Sequence, residues 1–310
     1  MDSRYSTGQS DMQSWQILER DSMIKKFAVL LVWAGMALTQ PVRDINSYIE
    51  NPAMVAENQE PAHVPLMPFP DAQQAKSLDW STSPFYHSLD GQWAFKWVPR
   101  PEQVPCEFYQ ADYPDQGWDR IAVPGTWQMQ GYDKIIYRNI PMELTPYDPP
   151  RVPDVFNPTG CYRRTFKVPE SWQGRQILLH FDGVQAASFV WVNGRYVGYD
   201  ADGMTDSEYN ITPYVKSGDN TLAVQVLRWC DGSYLEDQDM WRFSGIYRSA
   251  YLFAVPSLHM RDYFIKTDLD AERRKATLSI DVETVSYSGA MPDLYAIQAE
   301  VIDPDRKSVV

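Results

Sequence analysis

The chain has 310 residues, a length that accommodates about two domains of typical size. It has 28 Lys and Arg against 41 Asp and Glu, and the net charge of −13 argues against nucleic acid and anionic membrane surfaces as partners. A (β/α)8 barrel takes roughly 250 residues, so the chain is too short for such a barrel together with substantial β domains.

The first recognisable pattern lies near the N-terminus. A short cationic stretch, Met23-Ile24-Lys25-Lys26, precedes an apolar run at 27–38. This order is typical of a secretory signal peptide, and the run is short of the roughly 20 residues that span a bilayer. We therefore expect translation to start at Met23, cleavage to precede Gln40, and a periplasmic or secreted protein without residues 1–39. The alternative is a buried helix or strand of a cytosolic protein.

Residues 40–85 are rich in proline and show little periodicity. Proline fixes φ and donates no hydrogen bond to a β ladder, so this segment is predicted to be an extended arm along a surface.

Short runs rich in β-branched and aromatic residues begin at about Gln92. The runs are 92–98, 176–181, 187–199, 221–229 and 247–255. Asn193-Gly194, between two alternating segments, predicts a hairpin because both turn residues must accept a positive φ. Strands at this spacing predict an all-β fold, an antiparallel sandwich or jelly roll, over residues 86–255.

A second unit is expected to begin near Pro256. Thr277–Val285 and Leu294–Ile302 alternate between apolar and polar residues and predict two further strands. An immunoglobulin-like sandwich takes about 100 residues. Residues 256–310 are therefore expected to be a truncated immunoglobulin-like sandwich whose open strand edges make it mobile or aggregation-prone.

The cysteines and histidines predict no structural cross-link or zinc site. Cys106, Cys161 and Cys230 are odd in number and far apart, there is no CxxC motif, and the four histidines are scattered. Buried free thiols are the favoured interpretation, with one disulfide as the alternative. The segment 200–203 (DADG) resembles the start of a calcium loop, but its glycine is at the fourth position, which favours a simple turn.

Two longer motifs are the most specific features of the sequence. The first is 123–133 (VPGTWQMQGYD), which continues to Tyr137-Arg138-Asn139, and the second is 228–248 (RWCDGSYLEDQDMWRFSGIYR). Together with 191–199 (WVNGRYVGY), they closely resemble the N-terminal part of the large bacterial β-galactosidases of glycoside hydrolase family 2. The resemblance extends from roughly Asn46 to Val310.

This resemblance implies an arm, a jelly-roll sugar-binding domain and an immunoglobulin-like domain, followed by a (β/α)8 barrel that contains two catalytic glutamates. We expect the chain to be the N-terminal portion of a retaining enzyme that hydrolyses β-galactosides such as lactose. Because the barrel has no counterpart here, the chain alone is expected to be inactive. The resemblance also implies a homo-oligomer with subunit contacts through the arm.

The resemblance assigns four residues to the sugar site. Asp239 would contact galactose and help to ligate a sodium ion, Asn139 would reach the same site, and Tyr137 and Ile140 would line its entrance. A carboxylate is a hard oxygen ligand and a strong acceptor, and an amide both donates and accepts.

Magnesium is expected only in the barrel. A second magnesium site found in some relatives would use Asp231, but Ala201 stands where that site has a side-chain ligand.

Several alternatives remain open on the sequence alone. Glu236, Asp237 and Asp239 are disfavoured as a local catalytic pair, because retaining chemistry needs two carboxyls about 5–5.5 Å apart on opposite sides of a sugar. Trp241 and Arg242 are equally compatible with a sugar platform and with structural packing. The alternative functions are a stand-alone carbohydrate-binding jelly roll, a fragment that complements a separate barrel chain, and another activity of the family such as β-glucuronidase.

Overall fold

The computed structural model describes residues 44–138, 147–153, 155–236, 238–289 and 295–301. The strands in these residues are β1 (Ala56–Glu57), β2 (Tyr86–Ser88), β3 (Gly91–Val98), β4 (Asp119–Val123), β5 (Ile136–Arg138), β6 (Thr159–Lys167), β7 (Gln176–Phe181), β8 (Val184–Gln185), β9 (Ala187–Val192), β10 (Arg195–Asp200), β11 (Ser207–Asn210), β12 (Asp219–Leu227), β13 (Met240–Arg242), β14 (Gly245–Ile246), β15 (Ala250–Val255), β16 (Leu258–Leu269) and β17 (Ala276–Ser286). Their helices are single turns, namely α1 (Asn46–Ile49), α2 (Ala72–Ala75) and the 3-10 turns Trp80–Thr82, Pro101–Gln103, Gln128–Gln130, Glu170–Trp172 and Asp231–Tyr234. The predicted all-β fold is confirmed, and none of these helices is long and apolar enough to cross a membrane.

Two antiparallel sheets form the body of the protein. The larger has the strand order β1-β10-β9-β12-β6-β3-β4, and the smaller has the order β11-β7-β15-β2. Neighbours such as β12 and β6, or β15 and β2, are far apart in sequence, so the chain crosses repeatedly between the sheets. This order is typical of a jelly roll.

The facing sides of the two sheets enclose the main hydrophobic core. Trp93, Tyr162 and Val224 from the larger sheet pack against Leu179 and Leu252 from the smaller one. Burying each of these large side chains stabilises the fold by roughly 1.5–3 kcal/mol.

The outer face of the larger sheet is covered as well. All residues of β9 are buried, because α1 and the segment around Phe108 pack against the side that faces away from the main core. The ring of Tyr48 lies 5.3 Å from that of Phe189, and the ring of Tyr109 stacks on Trp191 at 5.1 Å. The N-terminal arm therefore supplies part of a second core.

The hairpin predicted at Asn193-Gly194 is present between β9 and β10. Both residues have positive φ, 53° and 79°, and Arg195 pairs with Val192 across the turn. Asparagine and glycine are the residues that tolerate this backbone at least cost.

The predicted second unit is represented by one antiparallel ribbon of β16 and β17. Its second strand coincides with the predicted Thr277–Val285. The prediction of a strand at Leu294–Ile302 is wrong over residues 295–301, which have no regular structure. A strand needs a neighbour for its backbone groups, and among the described residues none pairs with this segment.

All three cysteines are free. Cys161 and Cys230 are buried, as predicted, and burial raises the pKa of the Cys230 thiol to about 12. Cys106 is exposed, which corrects the expectation that all three thiols are buried.

Candidate functional site

The two specific motifs lie against each other. The backbone N–H of Gly125 donates to the carbonyl of Ile246 at 2.9 Å, and that of Trp127 donates to the carbonyl of Ser244 at 3.0 Å. The side chain of Gln128 accepts from the Ser244 N–H at 2.9 Å. Residues that are more than 100 positions apart in sequence therefore form one largely buried region of the folded chain.

Next to this region, β5 and β13 form a separate two-stranded sheet. The paired residues are Met240 with Arg138, Trp241 with Tyr137, and Arg242 with Ile136. Directly opposite residues share a face, and the rings of Tyr137 and Trp241 lie 5.0 Å apart. Tyr137 is 47% exposed and Trp241 is 53% exposed, so the small sheet presents two aromatic rings to solvent.

Asp239 lies immediately before β13 and is exposed. The hydroxyl of Tyr137 donates to its Oδ1 at 2.5 Å. This bond raises the pKa of Tyr137, because ionisation would remove the donor and place two negative charges together. A bond from O–H to a carboxylate is among the shorter and stronger hydrogen bonds. The structure thus brings together two of the four predicted sugar-site residues.

The other two predicted residues, Asn139 and Ile140, lie outside the described residues, as does Asp237. Asn139 and Ile140 follow β5 directly in sequence. Their role in the sugar site remains a prediction.

Trp241 and Arg242 have different roles despite being neighbours. Arg242 is buried, and its Nη1 donates to the backbone carbonyl of Glu236, which secures the loop that precedes β13. Trp241 is exposed and lies 6.2 Å from the stacked ring of Phe243. Arg242 therefore has a structural role in holding this loop, whereas the ring of Trp241 is accessible to a ligand.

Arg228 is a residue that sequence reasoning missed. Its Nη1 pairs with the carboxylate of Asp133 and donates to the Lys134 carbonyl at 3.0 Å, and its Nη2 donates to the Arg242 carbonyl at 3.2 Å. The side chains of Arg228 and Asp133 are only 1% and 2% exposed. Since 95 residues separate the pair, no local pattern could have indicated it.

Glu236 and Asp239, two acidic residues of the second motif, have different contacts. Glu236 Oε1 accepts from the backbone N–H of Gly203 at 2.8 Å, and burial raises the pKa of Glu236. Glu236 thus anchors the 200–205 turn, whereas Asp239 contacts Tyr137. These separate roles argue against Glu236 and Asp239 as a local pair of catalytic carboxyls.

The 200–203 segment forms a turn, as predicted. Asp202 Oδ1 accepts from the backbone N–H groups of Met204 and Thr205 at 3.0 and 3.2 Å, and Oδ2 accepts from the Thr205 hydroxyl at 2.7 Å. An aspartate that accepts from the backbone two and three residues ahead is a common turn device.

The sodium site expected at Asp239 stays a prediction, as does the absence of the second magnesium site. Among the described residues, no group of three or more His, Cys, Asp or Glu could hold a metal ion. Asp239 offers one carboxylate, so a sodium ion there would need further ligands. Near Asp231, whose pKa is raised by burial and further by Glu50, Ala201 offers only a methyl side chain.

An open groove of ≈ 670 Å³ lies between the arm and residues 231–236. Its apolar lining includes Met54, Val55, Tyr234 and Leu235, and Asp231 and Glu236 add carboxyl groups. The groove is thus an apolar channel with an acidic side.

The fold defines a class of protein. The chain is a β-sandwich of the jelly-roll type, a class that includes lectin domains. Exposed carboxylates can accept hydrogen bonds from sugar hydroxyls, and aromatic side chains combine an apolar body with polar edges.

A scan of family models identifies the family. The model described as glycosyl hydrolases family 2, sugar binding domain, matches residues 86–256. The chain belongs to glycosyl hydrolase family 2.

The curated relatives include several β-galactosidases. The chain is 46% identical over 257 residues to one from Vibrio vulnificus (strain CMCP6), covering 82% of this chain and 24% of the relative. It is 45% identical over 232 residues to one from Erwinia tasmaniensis, covering 74% and 22%. A β-galactosidase from Priestia megaterium is 37% identical over 252 residues, covering 80% and 24%. The chain thus spans about a quarter of the length of these relatives.

Similar solved structures include β-glucuronidases. A calcium-binding mutant of Bacteroides uniformis β-glucuronidase 2 has a TM-score of 0.50 at 27% identity, covering 65% of this chain and 22% of that chain. A β-glucuronidase of an uncultured Clostridium sp. has a TM-score of 0.53 at 18% identity, covering 73% and 37%, a likeness of fold alone.

Proposed function

We propose that this chain orients the substrate in a β-galactosidase that hydrolyses terminal β-D-galactosides with retention of configuration. The observation that supports the proposal best is the 37–46% identity to curated β-galactosidases over most of the chain. The exposed Tyr137–Asp239 pair supplies the chemistry, since it lies in the two motifs on which the resemblance depends.

Asp239 and Tyr137 would act as a pair. The Tyr137 hydroxyl occupies Oδ1 of Asp239 and restricts the rotation of the carboxylate. A sugar hydroxyl would donate to this ordered carboxylate, and Trp241 would contact the C–H face of the ring. Because the acceptor is ordered before binding, less conformational entropy is lost when the sugar binds.

Retaining hydrolysis requires a nucleophile and an acid/base carboxyl on opposite sides of the glycosidic bond. In our proposal both are glutamates of the catalytic barrel that the family resemblance implies. Asp239 would hold the substrate rather than attack it, and the chain alone would be inactive.

A chimeric enzyme tests the proposal. This chain would replace the matching segment of the Vibrio vulnificus β-galactosidase, and turnover of a chromogenic β-galactoside would be measured. Asp239→Asn removes the charge and is expected to lower kcat/KM by about 10-fold to 100-fold, the usual range for losing a hydrogen bond to a charged group. Asp219→Asn, at an exposed position of β12, is the matched control and is expected to retain full activity.

Three results would refute the proposal: full activity in Asp239→Asn, turnover by the free chain, or preference of the chimera for a β-glucuronide over a β-galactoside. Affinity of the free chain for galactose or lactose would favour the stand-alone carbohydrate-binding module instead, a function compatible with the exposed ring of Trp241.

Export and oligomerisation belong to the same proposal. The cationic and apolar segments at 23–38 support periplasmic or secreted localisation, and intact-mass measurement of the mature protein would check for cleavage before Gln40. The arm, which packs on the larger sheet through Tyr48 and Ile49, would also contribute subunit contacts in a homo-oligomer.

A further inference from the structure

The sheet that holds Tyr137 and Asp239 is too small to maintain its own register. Strands β5 and β13 have three residues each and are joined by three residue pairs. They pair with no other strand in the described residues. An isolated two-stranded ribbon is marginally stable in water, and a slip of one residue would turn Tyr137 to the opposite face.

Arg228 is placed to prevent such a slip. Its guanidinium contacts Asp133 and Lys134, in the turn that leads through Ile135 into β5, and also the carbonyl of Arg242, the last residue of β13. One rigid planar group therefore spans the base of both strands. A guanidinium suits this task because its donors lie in a fixed plane and point to several acceptors at once.

The surroundings hold the guanidinium in place. Its carbon lies 5.0 Å from the ring of Trp229, and the Asp133 carboxylate neutralises its charge in a buried setting. Asp133 has a φ of 62°, a left-handed conformation in which aspartate and asparagine are the favoured non-glycine residues. Asp133 thus combines a left-handed backbone conformation with the negative charge that pairs with Arg228.

We propose that Arg228, held by Asp133, is a positioning residue that sets the register of β5 against β13 and thereby places the Tyr137 hydroxyl on Asp239. Arg228 itself touches no substrate. Its effect on sugar binding is transmitted through the Tyr137–Asp239 hydrogen bond.

The readout is the environment of the hydroxyl of residue 137 in the full chain. 3-Fluorotyrosine incorporated at position 137 gives a 19F signal, and its chemical shift is measured at one fixed pH at which the ring is neutral. The Tyr137 hydroxyl donates to Asp239, so breaking this bond moves the signal. Asp239→Asn, which removes the charge of the acceptor, calibrates the full change in chemical shift.

Arg228→Lys is the principal variant. It preserves the positive charge beside Asp133, but a single ammonium cannot span the carbonyls of Lys134 and Arg242. We expect the chemical shift at position 137 to move by at least half of the change caused by Asp239→Asn, and in the same direction. Asp133→Asn accepts the same left-handed backbone and is expected to move the signal in the same direction.

Arg163→Lys is the matched control. Arg163 is another buried arginine, which pairs with Asp115 at 3.0 Å and donates to the Gln110 carbonyl at 2.9 Å, away from the small sheet. Its substitution is expected to lower the free energy of unfolding without moving the 19F signal of residue 137. A general loss of stability would therefore not imitate the predicted effect.

An unchanged 19F signal in folded Arg228→Lys would overturn the proposal, as would an equal change in Arg163→Lys. If Arg228→Lys does not fold, Asp133→Asn decides the question; if neither folds, Arg228 is a folding residue and the positioning role is rejected. Arg228 matters for function only through the proposed sugar site, but the 19F measurement uses no sugar. A failed chimera assay with the expected change in the 19F signal would therefore reject the galactosidase role and leave the positioning role intact.

Discussion

Asp200, the last residue of β10, is a buried carboxyl group. It is 4% exposed and accepts hydrogen bonds from the backbone N–H of Asp202 at 3.0 Å and from the side chain of Gln59. Burial raises the pKa of Asp200 to about 7, and the negative charges of Asp202 and Glu236 add to the shift. The folded protein therefore holds a proton that the unfolded chain releases at lower pH.

Asp200→Asn tests this linkage. Between about pH 4 and pH 7, Asp200 lowers the free energy of unfolding by ~4 kcal/mol. The reason is that the carboxyl ionises in the unfolded chain but resists ionisation in the folded protein. Asparagine does not titrate, so the variant should gain stability relative to wild type as the pH rises. Urea unfolding at about pH 4.5 and about pH 8 measures the difference.

Asp202→Asn is the control, because the pKa shift of Asp202 has the opposite sign. Burial opposes ionisation of Asp202, but bonds from Thr205 and Met204 outweigh it and lower its pKa. The stability from Asp202 is thus present above the unfolded pKa of 3.8 and is lost only as the pH falls below it, so Asp202→Asn should cost nearly the same at pH 8 and at pH 4.5. An identical pH dependence for both variants would contradict the assignment.

For single residues, the sequence identifies candidate site residues within a motif. It does not show which residues of different motifs contact each other. Asp239 and Tyr137 could be selected as sugar-site residues because each lies in a run of consecutive residues that resembles the family. Arg228 lies in the same run as Asp239, but its role depends on Asp133 and Lys134 in the other motif. Only the folded chain shows which acceptors surround the guanidinium.

Among the elements, the arm is joined to the jelly roll by a buried polar network. His63 in the arm contacts Glu208 of β11 at 3.2 Å, and Glu208 contacts His180 of β7 at 3.0 Å. The other ring nitrogen of His180 lies 3.2 Å from Asp182 and 3.5 Å from Asp206. The ring of His180 is therefore surrounded by three carboxylates.

This network predicts how the stability of the folded protein depends on pH. Burial opposes protonation of His180, but hydrogen bonds with Asp182 and Glu208 and the nearby negative charges raise its pKa to about 9. Its contribution to stability is complete below the unfolded pKa of 6.5 and is lost as the pH rises through 9. The bonds from the two histidines lower the pKa of Glu208 despite burial, so its contribution is lost in acid instead.

His180→Gln should accordingly destabilise the protein most near pH 6 and progressively less toward about pH 10, as measured by urea unfolding. His87→Gln is the matched control, because burial lowers the pKa of His87 and no stability is lost above pH 6.5. A His180→Gln effect that stays constant between pH 6 and pH 10 would contradict the prediction.

Element prediction succeeded where the signal was local and failed where it depended on neighbours. The Asn193-Gly194 turn requires only two residues with positive φ, so its sequence was sufficient. Burial of β9 on both faces depends on α1 and Phe108, far away in sequence. Residues 295–301 alternate between apolar and polar side chains, as a strand does. Without a neighbouring strand, however, their backbone groups form no hydrogen-bonded ladder.

At the scale of the whole molecule, the body and the C-terminal ribbon differ in how they bury apolar residues. The two large sheets and the arm enclose two continuous cores. The ribbon of β16 and β17 places Tyr263 opposite Val282, Ile265 opposite Ile280, and Thr267 opposite Leu278, all on one face. The alternate positions are Lys266, Asp268, Ser279, Asp281 and Thr277 together with Phe264, so the other face is mostly polar.

The apolar face of the ribbon is exposed, with Ile265 at 50% and Leu278 at 45%. Uncovered apolar strands with open edges promote pairing between molecules. We expect the isolated chain to self-associate as its concentration rises, which sedimentation velocity would detect as a shift from monomer to larger species.

A pair of substitutions on neighbouring residues of β17 decides whether this face is responsible. Ile280→Asp places a charge on the apolar face, and Ser279→Asp places the same charge on the polar face. Both variants change the net charge equally, so only the position of the new carboxylate differs. We expect Ile280→Asp to remain monomeric and Ser279→Asp to associate as wild type does. Equal association of the two variants would locate the contact elsewhere on the molecule, and a wild-type chain that stays monomeric would show that the exposed face does not drive pairing.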